Sequence, residues 1–217
     1  MSLTRVAGHT RPVPAGSGGE QAVDGRTARG QRTRAAVVDA LLALQEEGDL
    51  TPTAQRVAER AGVALRSVFG HFSDLETLWA EAGTRELAKL AALAVPVSAK
   101  LPLVERIALF SASRARTLEA LLPVMRAARL REPTSPQLQA NRRLFIAAGD
   151  AEVAQAFGPE LAERGEQDDA LVVAIYLAAG GPAWEALRHD RGLDVAAATE
   201  LLRRTVSRLV DPCGGPL

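Results

Sequence analysis

The stretch 61–78, AGVALRSVFGHFSDLETL, holds the side chains of this chain best suited to nucleic acid. Arg66 can fork onto the O6 and N7 of a guanine, or it can grip a phosphate instead. Leu65 can meet a thymine methyl, while Ser67 and, upstream, Thr53 can bond phosphate oxygens and fix register. His71 can touch a phosphate or simply pack. This is binding chemistry, and nothing beside it looks catalytic. His9, His71 and His189 are dispersed, and there is neither a GxSxG elbow nor a Gly-rich loop followed by Lys, so no enzyme is expected.

Such side chains must be held out by a short, well-anchored helix. In TAQRVAERAG, Thr53 suits an N-cap, Val57, Ala58 and Ala61 repeat on one face, and Gly62 suits the left-handed residue that ends a helix. From Ala64 to Phe72 a second short helix places Val68 and Phe72 on one side, with Leu65, Arg66, Ser67 and Phe69 elsewhere. Two helices around a Gly-containing turn suggest a helix-turn-helix, whose second helix enters the major groove. Periodicity alone fits equally a helical hairpin that serves only as a protein-interaction module.

The residue types go further. AGV, then Ser67, Phe69, the pair His71-Phe72, and a helix opening at Asp74 with Glu76 and Leu78 resemble the tetracycline-repressor (TetR) family over about Arg32 to Leu78. The resemblance implies a homodimeric regulator, most simply a repressor, that a small molecule releases from a nearly palindromic operator in double-stranded DNA. A regulator of the same fold without an effector is the alternative. The implied DNA-binding residues are Arg32, Arg34, Thr53, Ala64, Leu65, Arg66, Ser67, Phe69 and His71. Three departures stand out: Ala64 replaces a capping Ser or Thr, Phe69 a Tyr, and Leu75 a Lys. In the family the Tyr and the Lys hold phosphates, so here the arginines at 26, 29, 32, 34 and 66 are the natural compensation.

Composition sets the frame. The 217 residues are 47% apolar but only 4% aromatic, rich in Ala and Leu, which favours an all-α fold. Net charge is zero, so distribution matters more: 26–34 carries four arginines and no acid, and lysine occurs only at Lys89 and Lys100. A lone cysteine, Cys213, fits a reducing cytoplasm. Arg5 and Arg11 are followed by no apolar core, so no secretory signal is expected. The apolar run from Leu171 to Trp184 is short for a membrane span and contains Gly180, Gly181 and Pro182, so a buried helix is expected. The acids Glu163, Glu166, Asp168 and Asp169 have no nearby histidine and suit a helix start. No metal and no cofactor are expected.

The chain divides into three. Residues 1–28, rich in Gly, Pro, Ser and Thr, are expected to be a disordered arm, either inert or laid along DNA. Residues 29–80 form the helix-turn-helix domain, opened by a helix from about Gly30 to Glu47 with a stripe of Val37, Val38, Leu41, Leu42 and Leu44. A helix over about 75–94 connects it to a helical regulatory and dimerisation domain, 81–217. Helices are expected at about 103–121, 123–131 and 136–157, the last broken by Gly158-Pro159. Phe110, Arg114, Leu118, Met125, Phe145 and Tyr176 either line a pocket for a small apolar or aromatic ligand or are ordinary core. The last two helices carry Leu171, Ile175, Trp184 and Leu187, then Val195, Ala198, Leu202, Thr205 and Leu209 at 3-4 spacing. That seam packs within the subunit or, as the resemblance implies, pairs with a second copy through Leu171, Ile175, Trp184, Leu187, Val195, Leu202 and Leu209.

Overall fold

The computed structural model describes the backbone of residues 18–163 and 169–211, and side chains within 27–163 and 170–211. Arg5, Arg11, Glu166, Asp168, Cys213 and the side chains of Arg26 and Asp169 lie outside the described residues. Nothing but helix and turn occurs among the described residues.

The helices are α1 Gly18–Glu46, α2 Ala54–Ala61, α3 Leu65–His71, α4 Leu75–Leu93, α5 Leu103–Arg131, α6 Pro136–Glu163, α7 Asp169–Ala178, α8 Gly181–Glu185 and α9 Val195–Val210. A 3-10 turn, Glu132–Thr134, joins α5 to α6, and a π turn, Ala186–Asp190, follows α8.

Two apolar cores organise them. Val37, Val38, Leu41, Leu42 and Leu44 of α1 are buried against Val57 and Ala58 of α2, Val68 and Phe72 around α3, and Leu78, Trp79 and Ala82 of α4. The second core joins α5, α6, α7, α8 and α9 around Ile107, Phe110, Leu118, Phe157, Ile175, Trp184 and Leu202. Val124 and Ala127 of α5 reach back into the first core, and the Arg131 guanidinium lies 4.6 Å from the Trp79 ring centroid. The connector α4 is thus gripped from both sides.

Three expectations are corrected. First, α1 begins at Gly18, so residues 18–28 are helical rather than a disordered arm. The stretch EQAVDGRTAR has no proline and mostly tolerable helix formers, and it extends a helix already nucleated by the Val37–Leu44 stripe.

Second, α5 is continuous through Pro123. A helix-interior proline costs about 3 kcal/mol. Leu118, Leu121, Leu122, Val124 and Ala127 are buried on both sides of it, and each buried Leu or Val contributes about 1.5–3 kcal/mol. Packing wins.

The expected break at Gly158-Pro159 is present: Pro136–Glu163 is two helical segments that meet at a kink. The backbone leaves helical values only at Phe157 (φ −122°, ψ 20°). There the Phe157 ring meets Phe110 edge-on at 5.2 Å, and Arg106 Nη1 donates to the Ala156 carbonyl at 2.7 Å.

Third, the apolar run is not short: the 21 residues from Ala170 to Asp190 are long and apolar enough to cross a membrane. They are interrupted at Gly180, and Leu171, Ile175, Ala179 and Trp184 pack into the second core. One face of this element packs in the core, while Val173 and Leu177 on the other are 50% and 63% exposed, so it is not the buried helix expected.

Candidate nucleic-acid interface

Local chemistry sets the α2–α3 pair. Thr53 is extended (φ −77°, ψ 157°) and its hydroxyl accepts from Arg56 N at 3.3 Å, capping α2. Gly62 takes φ 66°, ψ 31°, the left-handed conformation that a side chain would strain. The next residue, Val63, donates its N–H to the Ala58 carbonyl at 3.0 Å. Ala64 has the extended backbone of an N-cap (φ −68°, ψ 146°) but no side-chain cap, so the start of α3 lacks that bond.

Val68 and Phe72 anchor α3 in the first core, at 0% and 1% exposure. On the other side Leu65 and Phe69 are 38% and 48% exposed, Arg66 is exposed and Ser67 is half-buried. Leu65, Arg66 and Phe69 therefore occupy the outward side of one short helix. His71 is half-buried; a Cβ added at Gly30 would lie 3.7 Å from its Cε1, so the imidazole rests against α1.

The arginines around this surface divide sharply. Arg56 pairs with Asp49 at 3.1 Å, Arg60 forks onto Glu47 at 2.8 and 2.5 Å, and Arg85 pairs with Asp39. The hydrogen bonds from Arg60 hold the Glu47 carboxyl below its usual range. Arg34 donates to the His71 carbonyl and to Glu81, and its guanidinium sits over Phe72. Arg34 is thus a bracket between α1, α3 and α4. Arg29, Arg32 and Arg66 are exposed, and among the described residues no acid holds them.

No protein-family model matches the chain, and no curated protein matches it in sequence. Solved structures do match in shape. A transcriptional regulator from Rhodococcus sp. superposes with a TM-score of 0.63 at 20% identity, covering 86% of this chain and 99% of that one. A TetR-family transcriptional regulator from Mesorhizobium loti follows with 0.57 at 17% identity, covering 84% and 96%. The chain has the TetR-regulator fold.

Within that TetR fold, the pocket residues read from the sequence are not gathered in one place. Phe110 and Leu118 are fully packed core. Arg114 is 2% exposed and already bonded, with Nε and Nη2 donating to the Ala179 carbonyl and Nη1 to Glu152 at 3.1 Å. Tyr176 packs on Gly149, where a Cβ would meet its ring at 2.7 Å. Of the six, Phe110 borders a cleft of about 50 Å³, and only Met125 and Phe145 line a separate one of about 100 Å³ between α4, α5 and α6.

Two residues of that cleft, Glu86 and Asn141, were missed in the sequence. The buried stripe of α4 runs Leu78, Ala82, Glu86, Leu90, and a carboxylate in a four-residue apolar repeat was the available sign. Four of the seven residues read as a dimer seam are enclosed by this chain's own core: Leu171, Ile175, Trp184 and Leu202. Leu187 and Leu209 pack half-buried against it, and Val195 is exposed. On α9 the buried line is Ala198, Leu202, Val206 and Val210, four residues apart, whereas Thr205 is exposed.

Proposed function

We propose that the chain is a homodimeric DNA-binding transcriptional regulator, acting in the cytoplasm as a repressor that a small molecule releases from its operator. The observation that carries this reading is the division of the arginines. Arg66 stands with Leu65 and Phe69 on the outer side of α3, and Arg29 and Arg32 stand on α1, with no described acid neutralising them, while Arg34, Arg56, Arg60 and Arg85 are taken up by carboxylates. In this reading Arg66 reads a guanine, Leu65 and Phe69 meet thymine methyls, and Arg29 and Arg32 hold phosphates.

Dimerisation draws on the apolar side chains that α7 and α9 leave open: Val173, Leu177, Val195 and Leu201, exposed by 40–63%. A two-fold axis there would present two α3 helices to half-sites about 34 Å or a near multiple apart. The effector would enter beside α4, which belongs both to the helix-turn-helix core and to the cleft wall. Movement of α4 couples the two sites. At about 100 Å³ the cleft is smaller than the roughly 300 Å³ or more usual for drug-sized ligands, and that size restricts an effector to a small molecule.

The test is fluorescence anisotropy of the full chain on a duplex selected from a random pool, titrated with salt. The two phosphate-holding arginines, Arg29 and Arg32, in each of two subunits predict a log–log slope of about −4. Absence of salt-dependent binding to any duplex would leave the α2–α3 hairpin as a protein-interaction module.

A further inference from the structure

Glu86 sits where the α4 stripe should carry an apolar side chain. It is 9% exposed, and its Oε2 has no hydrogen-bond partner; Lys89 Nζ is the cation nearest to it, at 3.6 Å. Asn141 of α6 is 8% exposed. Its Oδ1 accepts from Gln137 Nε2 at 3.1 Å, which fixes the amide, and its Nδ2 has no partner. Gly83 makes room for that amide, since a Cβ there would meet Asn141 Nδ2 at 2.5 Å. All three residues line the cleft between α4, α5 and α6, whose other walls are largely apolar, including Leu87, Leu121, Met125 and Phe145.

Native interiors hydrogen-bond their buried polar atoms; here a carboxylate oxygen held only by an ion pair at 3.6 Å and an amide N–H with no acceptor stand beside one cleft, a donor–acceptor set that a ligand can complete. We propose that this cleft takes a small apolar amine, its ammonium bonding Glu86, its apolar body on Leu121, Met125 and Phe145, and any acceptor oxygen it carries meeting Asn141 Nδ2. This assignment rests on the regulator reading above and names the class of its effector.

Charge selects the amine over an acid. Arg129 and Arg142 also line the cleft, but each already has a carboxylate at 3.3 Å, Glu185 and Glu132 respectively. Glu86 has only Lys89, which is 39% exposed and 3.7 Å from Glu46, so Lys89 can keep Glu46 when a ligand takes Glu86. Burial raises the Glu86 carboxyl above its usual range, and an arriving cation acts in the opposite direction, as Lys89 does. A space of about 100 Å³ suits a single ring with a short substituent. Because Glu86 is on the connector, the ligand contact falls directly on the helix shared with the helix-turn-helix core.

The test is isothermal titration of the full chain with benzylammonium, benzyl alcohol and benzoate, with operator anisotropy run in parallel. Benzylammonium is expected to bind about tenfold or more tighter than the other two, the usual worth of a charge-assisted hydrogen bond. Glu86→Gln, checked for folding by its melting curve, is expected to abolish that preference. Equal binding of the three probes, tighter benzoate, or a preference that survives Glu86→Gln overturns the assignment. Should Glu86→Gln not fold, the wild-type ranking of the three probes decides. Preferential benzylammonium binding that leaves a salt-sensitive operator complex intact upholds the amine site and removes ligand release from the regulator reading.

Discussion

The Arg34 guanidinium lies 4.3 Å from the centroid of the Phe72 ring. The same side chain donates to the His71 carbonyl and to Glu81, so one arginine ties α1 to the end of α3 and to α4. A residue at the basic start of a DNA-binding domain reads naturally as a phosphate contact; here the local partners claim it.

Arg34→Ala should therefore act through stability. Loss of a half-exposed cation–π contact and its hydrogen bonds costs about 1–3 kcal/mol, or a melting temperature lower by about 2–4 °C per kcal/mol in a chain of this size. The salt slope of DNA binding should stay unchanged. A slope shallower by one unit per subunit, with the melting temperature intact, would make Arg34 a phosphate contact instead.

Ala64 offers the converse change. Its backbone is already extended as an N-cap requires, and α3 starts without a side-chain cap. Ala64→Ser should raise stability by about 0.5–2 kcal/mol, read as a higher midpoint in urea with an unchanged m-value. No gain would mean that the serine hydroxyl does not reach the N–H groups at the start of α3.

Leu75 opens α4 and packs, half-buried, on the rim of the first core. Leu75→Lys can lay its methylenes on that rim and carry its ammonium outward. The salt slope should steepen by about 0.9 per subunit for the phosphate gained, about 2 for a dimer, with a small loss of stability. An unchanged slope would show that this position stays away from DNA.

Glu86 gives a pH signature. Burial, its largest influence, raises its folded carboxyl above the ordinary 4.5, reinforced by Glu46 and opposed by Lys89 and Arg85. A group with a raised folded value contributes its full stability below its unfolded value and loses it as pH rises through the folded one. Glu86→Gln should therefore melt higher than wild type at neutral pH, with the advantage fading as pH falls through the raised folded value and gone below about 4.5. An advantage independent of pH would locate the effect in packing.

Much of this was legible in the sequence because local chemistry decides it. Thr53, Gly62 and Asp74 cap or end helices through bonds to their own neighbours, and the Val37–Leu44 stripe is buried as its spacing requires. What failed depends on distant partners. Pro123 reads as a break because its local cost is visible, while the packing that outweighs it comes from other helices. Arg34 and Arg114 read as ligand-facing because nothing nearby in sequence shows Glu81 or the Ala179 carbonyl waiting for them. Ile175 and Leu202 read as a seam between subunits because periodicity shows that a helix face is apolar without showing what covers it.

The most direct test of the regulator reading is Arg66→Ala on a selected operator and on its single-base variants. The account predicts a loss of about 1–3 kcal/mol in affinity for the selected duplex and relaxed discrimination at one guanine position in each half-site. Equal weakening on every duplex, with base preferences intact, would contradict it and make Arg66 a phosphate clamp.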